Sequence, residues 1–469
     1  MSPSVIGEWF PTFGRIGRRL FAISKPIGKG LLVLVIVLAV IHSIATFILG
    51  RRLEAQIAAI KARGEPVSWA DLAGDRIPDA ENAAVVYAKA FKLIASPAAK
   101  KDLSTLGKFV SPKKREDKPV SWDEAESAVA RVRPVLPLIE QAVSRPKCQF
   151  PVNWEADVGL RVAHFSGLRD LHRFLLANAK LAVRDGRMDE AARSIDLAFK
   201  VGESVKDGPT LIAQLVRVAI IKKAGRSLRE ALQYGDINET QARRLSNTLA
   251  KIDMTPGLVK AMQGERVCGL WFYEYARKQP RKFARMCSGT GDSPAFVPWR
   301  LVGTYVYRPF LYANERLHLE AMNRLVDSTA LSFRERQGKG LDQPVDFPKY
   351  AVISKTLFPV FNRAMARADE AAAEVAGSRI FLALHVYHHT FHSYPETLDE
   401  LRAKLQWEIP KDIFSGKDFV YERQDKGFLL YSIGGNLKDD GGRVPPAKPR
   451  VAMTAEERAR DDIIWQLEG

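Results

Sequence analysis

The stretch LLVLVIVLAVIHSIATFIL, from Leu31 to Leu49, contains nineteen residues without a formal charge. A helix rises about 1.5 Å per residue, so this stretch spans roughly 28 Å, close to the hydrocarbon thickness of a bilayer. Lys29 precedes it, and Arg51 and Arg52 follow it. The run is long for the apolar core of a cleaved signal peptide, and no clear A-x-A cleavage pattern follows it. The sequence therefore predicts an uncleaved transmembrane helix at residues 31–49.

Residues 1–30 alternate aromatic and aliphatic side chains with arginine and lysine. This mixture at helical spacing is typical of a basic amphipathic tail that lies among anionic headgroups. Five basic residues flank the apolar stretch before it and four after it, so the positive-inside rule leaves a narrow margin. A short tail ahead of an uncleaved anchor favours a cytoplasmic N-terminus. We therefore expect a single-pass inner-membrane protein whose residues from 51 onward lie outside the cytoplasm.

The net charge of +17 and the pI of about 9.7 favour anionic partners, namely lipid headgroups, acidic polymers or nucleic acid. Basic and aromatic residues interleave from Trp271 to Arg285. This pattern binds nucleic acid in the cytoplasm and suits a membrane surface or an acidic polymer elsewhere. Because we place the bulk of the chain outside the cytoplasm, nucleic acid is the least favoured of these partners.

The cysteines exclude two common classes of small module. The chain has three of them and no CxxC pair, which rules out a zinc ribbon and a thioredoxin-like dithiol. Cys268 and Cys287 either form one disulfide in an oxidising compartment or stay unpaired together with Cys148.

Residues 52–335 have the pattern of a mainly helical domain. LEAQIAAIKA continues the membrane helix to about Lys61, and apolar residues then recur at helical spacing. Gly186 separates one such helix from the next, at Asp189 to Val201, which predicts a helical hairpin. This hairpin weakly resembles a tetratricopeptide unit, without a second convincing copy at the 34-residue period. The small residues that match the repeat are Ala179, Gly186, Ala191 and Ala198.

Residues 96–120 form the most basic segment of this domain and contain two prolines. We expect a loop there, either a solvated linker or a contact to an anionic surface. Its basic residues are Lys100, Lys101, Lys108, Lys113, Lys114, Arg115 and Lys118.

Residues 350–445 predict a small α+β module. A long helix runs from Phe361 to about His392, and Thr397 is placed to cap a short helix after it. Short strands are expected at 419–422 and 428–431, joined by the hairpin turn RQDKG. One long helix on a short antiparallel sheet follows from this order. Residues 446–469 are expected to be a C-terminal tail, in which Asp461 and Asp462 have no identifiable partner.

Three separated segments of this module resemble the C-terminal part of the major pseudopilins of type II secretion. The matching residues are Tyr394, Pro395, Pro410, Asp412, Gly416, Tyr421, Leu430, Tyr431, Ser432, Gly434, Asp439, Asp440 and Gly442. The resemblance covers about 70 of the 469 residues. The chain lacks a pseudopilin leader, and about 300 residues separate its apolar helix from the module, which argues against polymerisation into a pseudopilus. The whole layout looks like that of large membrane-anchored bacterial proteins of unassigned function.

The resemblance implies a calcium site, because the last loop of those pseudopilins binds calcium. Asp439 and Asp440 lie between residues that permit tight turns and offer the hard oxygen ligands that Ca²⁺ takes. The alternative is a solvated turn that carries two aspartates. Two adjacent carboxylates fall short of the six to eight ligands that calcium needs.

A histidine cluster is the other candidate metal site. On a continuous helix, His385, His388 or His389, and His392 share one face, so two or three imidazoles would converge on one transition metal. The cluster contains no HExxH pattern and no glutamate that would act as a base. The alternative is a helix end at which the imidazoles contact water and the C-terminal dipole.

The chain contains no P-loop, no Rossmann fingerprint and no nucleophile elbow. We expect a membrane-anchored, extracytoplasmic scaffold or interaction protein that serves an envelope or secretion assembly. One alternative is a metal-dependent envelope enzyme built on His385, His389 and His392. The other is a cytoplasm-facing protein that binds nucleic acid or another anionic polymer.

Overall fold

Helices make up most of the described chain. The computed structural model describes residues 10–112, 119–152, 163–280, 282–283, 307–341, 345–348, 351–425, 427–443 and 462–467. The helices are α1 (Phe10–Ala62), α2 (Trp69–Ala73), α3 (Ala83–Leu93), α4 (Pro97–Val110), α5 (Trp122–Val132), α6 (Leu136–Val143), α7 (Ala163–Arg184), α8 (Met188–Glu203), α9 (Leu211–Tyr234), α10 (Glu239–Ala250), α11 (Thr255–Lys278), α12 (Arg308–Thr329), α13 (Phe333–Gly338), α14 (Val352–Phe391) and α15 (Leu398–Leu405). The strands are β1 (Val420–Arg423), β2 (Phe428–Ser432) and β3 (Ile463–Leu467). A mainly helical fold with a small antiparallel sheet is therefore confirmed.

The helix α1 is 53 residues long and continues past the apolar stretch, as LEAQIAAIKA predicts. Its large apolar residues from Leu31 to Ile48 are exposed, whereas Leu53 and Ile60 are buried. Among the described residues, it is the one helix long and apolar enough to cross a membrane, a property that signal sequences near an N-terminus share. Residues 1–9 and the side chains of residues 10–29, which the prediction of a headgroup-bound tail concerns, lie outside the described part.

The predicted hairpin at Gly186 is confirmed. Gly186 has a φ of +70°, a left-handed conformation that favours glycine, and it lies between α7 and α8. The Asn178 amide of α7 donates to the Ser194 hydroxyl at 2.9 Å and to the Glu190 carboxylate at 3.0 Å on α8. Ala179, Ala191 and Ala198 are buried, so small residues occur where this pair is closely packed. The tetratricopeptide resemblance stays a prediction.

The expected loop at residues 96–120 is wrong for its first half, which forms α4. The Ser96 hydroxyl caps the helix by accepting from the amide of Ala99 at 3.2 Å, and Pro97 occupies the first turn. Leu103, Leu106 and Phe109 give α4 a buried face, while its lysines lie on the outside. Residues 113–118, with four of the basic side chains, lie outside the described residues.

The sheet has the order β1-β2-β3, and both pairs are antiparallel. The two predicted strands are therefore confirmed, with Val420 opposite Tyr431. The expectation of a plain C-terminal tail missed β3, in which Ile464 pairs with Tyr431 of β2. Trp465 of β3 is fully buried and packs against Gly377 of α14.

The chain divides into two compact units. The α1 unit contains Met1–Glu65, Gly269–Leu319 and Phe347–Ser354, and its core includes Tyr273, Ala276, Phe283 and Leu311. The large unit contains Pro66–Cys268, Glu320–Asp346 and Lys355–Gly469. It therefore includes both the hairpin of α7 and α8 and the C-terminal sheet.

Candidate functional site

The histidine cluster lies at the C-terminal end of α14, where its members have different surroundings. His385 is buried, and its Nε2 accepts from the backbone amide of Ile237 at 3.4 Å. The Asp236 carboxylate lies 3.4 Å from the same nitrogen. Burial lowers the pKa of His385 below its usual value, although Asp236 opposes this shift. His385 therefore acts as a neutral core residue that holds the turn between α9 and α10.

The other three histidines are exposed. The His388 ring stacks on Tyr394, with 4.5 Å between the ring centroids. His392 lies beyond the end of α14 and has a φ of 56°, in the left-handed region. The amide of His392 still donates to the carbonyl of His388 at 2.8 Å, so the expectation that His392 shares a helical face with His385 and His389 stays a prediction.

The described residues contain no group of three or more His, Cys, Asp and Glu side chains that could hold a metal ion. In the histidine cluster, His385 is buried and bonded inward, whereas His388, His389 and His392 are exposed. Transition-metal binding by His385, His389 and His392 stays a prediction that this geometry does not favour.

Three carboxylates surround the loop that follows β2. Asp439 accepts from the Tyr431 hydroxyl at 2.9 Å and from the Gly441 amide at 2.8 Å. Asp440 accepts from the side chain of Asn436 at 3.1 Å. Asp462, for which sequence analysis finds no partner, accepts from the backbone amides of Asp440 at 3.1 Å and Gly442 at 2.9 Å.

Backbone amides of this loop donate to the carboxylates around it. Gly441 and Gly442 have positive φ, and their amides donate to Asp439 and Asp462, respectively. Burial, together with the neighbouring carboxylates Asp440 and Asp439, raises the pKa of Asp462, although the two backbone hydrogen bonds oppose this shift.

The donor set has the oxygen chemistry that calcium prefers. The carboxylates, however, are bonded to N–H and O–H groups and do not converge as a set of three. Calcium binding at Asp439 and Asp440 stays a prediction.

The residues that carry the pseudopilin resemblance hydrogen-bond to one another. The Tyr421 hydroxyl donates to the carbonyl of Pro395 at 2.8 Å, which joins the first and second segments. The buried Asp412 accepts from the Ser432 hydroxyl at 2.7 Å, which joins the second and third segments. These residues therefore have a structural role in the module, whatever its ancestry.

Sequence analysis missed a buried polar cluster in the α1 unit. The Tyr273 hydroxyl donates to Asn314 at 2.8 Å, and the Ser354 hydroxyl lies 3.2 Å from Asn314 and 3.3 Å from Nδ1 of His318. Burial lowers the pKa of His318 to about 4, so the imidazole is neutral at physiological pH. The imidazole of His318 fits only because residue 269 is glycine, since a Cβ at this position would lie 2.4 Å from Nε2 of His318. No local pattern links these positions, which lie as far as 85 residues apart in the sequence.

A cavity of about 260 Å³ opens in the large unit between the α10–α11 turn, α14 and the segment before β1. Its charged lining is largely neutralised. Arg336 pairs with Asp369 at 2.5 Å, and Arg379 pairs with Glu408 at 2.8 Å. Lys411 also lines the cavity, and it pairs at 2.8 Å with Asp418, which does not. The cavity is therefore slightly smaller than a usual small-molecule site, and its lining has no convergent catalytic set.

The two described cysteines, Cys148 and Cys268, are partly buried and form no disulfide within the described part of the chain. Burial raises the pKa of each to about 12, which makes both poor nucleophiles. Cys287 lies outside the described residues, so the alternative of a Cys268–Cys287 disulfide stays a prediction.

No family model, curated protein or solved structure matches this chain. The candidate functions therefore depend on the chain's own residues.

Proposed function

We propose that this chain is a membrane-anchored interaction protein that holds a helical body outside the cytoplasm and serves an envelope or secretion assembly. The observation that carries the proposal is α1, whose apolar residues from Leu31 to Ile48 are exposed and whose later residues Leu53 and Ile60 are buried. An exposed apolar surface of this length is favourable in lipid and costly in water. One helix would thus join a bilayer span directly to a folded unit.

Interaction rather than catalysis is supported by the state of the described polar groups. His385 and His318 are buried and neutral, and the described cysteines have raised pKa values. The acidic loop binds its own backbone amides. The net charge of +17 favours an acidic partner in the envelope.

The anchor and its orientation are tested by two measurements on the full chain. The mass of the protein from washed membranes should include residues 1–50, and the protein should resist extraction at alkaline pH. A mature chain that begins after residue 49 would instead establish a cleaved signal sequence. A reporter fused after Gly469 should be active only outside the cytoplasm, and a cytoplasmic result would support the nucleic-acid or anionic-polymer alternative.

The interaction itself is tested by cross-linking and purification through a tag after Gly469. The matched control replaces residues 1–50 with an unrelated single-pass anchor, so that partners of residues 51–469 are retained. We expect the same envelope proteins to be enriched with both chains. If neither chain enriches a reproducible partner, the interaction proposal fails while the anchor stands.

The metal-dependent enzyme is the weaker candidate, because no observation among the described residues favours it. Elemental analysis of the dialysed protein tests it directly. Stoichiometric zinc that is lost when His385, His389 and His392 are changed to alanine would restore it.

A further inference from the structure

The α1 unit brings α12 to the end of the apolar stretch of α1. Gly50 is the first residue after this stretch, and a Cβ at Gly50 would lie 3.8 Å from Cε1 of Tyr312. The Tyr312 ring therefore contacts α1 at the level where the helix changes from apolar to charged residues, which begin with Arg51 and Arg52.

The end of α11 lies at the same level. Arg277 of α11 forms an ion pair with the buried Glu315 of α12, and its guanidinium lies 5.0 Å from the centroid of the Tyr312 ring. Tyr273, one turn earlier in α11, bonds to Asn314. Gly269, one further turn back, packs on His318, so the two helices run antiparallel. The last residues of α11 and the first residues of α12 therefore share one end of the α1 unit.

This end has the depth of a headgroup layer if α1 spans a bilayer. The polar layer on each side of the hydrocarbon core is about 5–7 Å thick. Arg308 and Phe310 precede Tyr312 by four and two residues, so they lie within about 6 Å and 3 Å of its level along the helix. Arg308 is exposed, and Phe310 is 50% exposed although it is a large apolar side chain.

The exposed side chains at this end have the chemistry of an interfacial contact. Lys278 and Lys282 are exposed, and Lys278 pairs with Glu274 one turn earlier at 2.6 Å. Tyr275, three residues before Lys278, stacks on Trp271 with 5.1 Å between the ring centroids. Aromatic side chains are enriched at headgroup level, where one end of the ring is apolar and the other is wet. Each lysine or arginine near an anionic leaflet gains about 1 kcal/mol of attraction.

We propose that Lys278, Arg308, Phe310 and Tyr312, which we call the headgroup patch, bind the anionic phospholipids that surround α1. Phe310 enters the boundary between headgroups and acyl chains, and Arg308 and Lys278 bind lipid phosphates. The proposal rests on the proposed function, because it requires α1 to be an uncleaved anchor. It adds a second point of attachment, which fixes the orientation of the α1 unit against the bilayer.

Photo-crosslinking on the full chain tests this contact. The photoreactive residue p-benzoylphenylalanine replaces one side chain at a time, at Ala39, Phe310 or Ala59, in protein reconstituted into nanodiscs with phosphatidylglycerol. Ala39 lies about 15 Å before Leu49 and probes the bilayer interior, whereas Ala59 is exposed about 15 Å beyond it and is the matched control. We expect lipid adducts, read as a mass shift, at positions 39 and 310 but not at 59.

The outcomes separate the two proposals. Adducts at position 39 without adducts at 310 would overturn the headgroup patch and leave the anchor standing. No adduct at position 39 would mean that the anchor itself has failed. Cross-links from position 310 to a copurified protein instead of lipid would also overturn the patch.

A separate test examines whether the contact at position 310 requires anionic lipid. Replacing phosphatidylglycerol with phosphatidylcholine should lower the yield at position 310 relative to position 39. Arg308→Gln in phosphatidylglycerol should lower the same ratio by about fivefold, the loss expected for one cation near an anionic leaflet. An unchanged ratio in both tests would refute the role of anionic lipid.

Discussion

The contact between Trp465 and Gly377 predicts that a substitution with a favourable helix propensity will destabilise the protein. Gly377 lies inside α14, where alanine is better than glycine by about 1 kcal/mol on propensity alone. A Cβ at Gly377, however, would lie 2.3 Å from Cζ2 of Trp465 and 2.5 Å from two further ring atoms. The indole must withdraw by about 1.2 Å to restore an ordinary carbon contact.

The indole has little room for this movement. Trp465 is fully buried, and its ring packs edge-on against Phe419 with 5.6 Å between centroids. Overpacking of this kind costs about 1–3 kcal/mol. Gly377→Ala should therefore cost up to about 2 kcal/mol net, after the gain in propensity is subtracted. In a Trp465→Ala background, which itself costs about 3–5 kcal/mol, the same change should become stabilising by about 1 kcal/mol.

Thermal unfolding of the purified full chain measures this reversal of sign. A net loss of up to about 2 kcal/mol lowers Tm by up to about 3 °C in a unit of this size. Gly107→Ala in α4 is the matched control, because the nearest atom to its new Cβ is Cδ of the flexible Arg173 side chain, at 3.3 Å. The control should not lower Tm. A rise in Tm for Gly377→Ala in the wild-type background would refute the packing of β3 on α14.

Three further predictions concern residues of the large unit, including the buried His172 of α7. Tyr421→Phe leaves the Pro395 carbonyl without its 2.8 Å donor and should cost about 1 kcal/mol, seen as a lower Tm than that of wild type. Calcium should raise Tm, and the double change Asp439→Asn with Asp440→Asn should abolish this rise; an equal response in both proteins would exclude the predicted site. Burial lowers the pKa of His172 to about 3, below the ordinary value of about 6.5, so the unfolded chain takes up the proton first. Stability from this group is therefore complete above pH 6.5 and falls below it, by about 2 kcal/mol at pH 5, and His172→Gln should flatten the fall in Tm between these pH values.

Local patterns predicted the elements whose signals lie within the elements themselves. The apolar spacing of Leu168, Leu171 and Leu175 predicted α7, and Gly186 predicted its end. Thr397 caps α15 as its position suggested, by accepting from the amide of Glu400 at 3.2 Å. These features depend on a few neighbouring residues, so no tertiary contact was needed to find them.

Two elements were missed, for different reasons. For α4, a composition signal outweighed a local one. The lysines of residues 96–120 suggested a loop, although Ser96 and Pro97 are a helix start and Leu103 and Leu106 supply a buried face. The strand β3 has only five residues, and it is held in place by the packing of Trp465 on α14 as well as by its pairing with β2. Such a short strand has too little pattern of its own to be found without its partner.

The candidate sites show a different limit. Helical geometry groups histidines four and seven residues apart, yet it does not say which of them are buried: His385 is bonded inward, whereas His389 and His392 are exposed. The surroundings of His385 depend on Asp236, which is 149 positions earlier in the chain. A titratable side chain becomes a core residue or a ligand through such distant contacts, which periodicity does not contain.

The proposal of an anchor rather than a cleaved signal sequence is supported by the continuity of α1. Cleavage just after residue 49 would cut a helix that continues to Ala62, at the level where Tyr312 contacts Gly50. Leu53 and Ile60 are buried on the distal side of that point, so the helix enters the protein core within three residues of its apolar stretch. A processing site also has a small-residue pattern such as A-x-A, and no clear pattern of this kind follows the apolar stretch. With an anchor, the exposed apolar half of α1 lies in lipid and the buried half holds the α1 unit against it, so both halves of the helix have a physical reason for their composition.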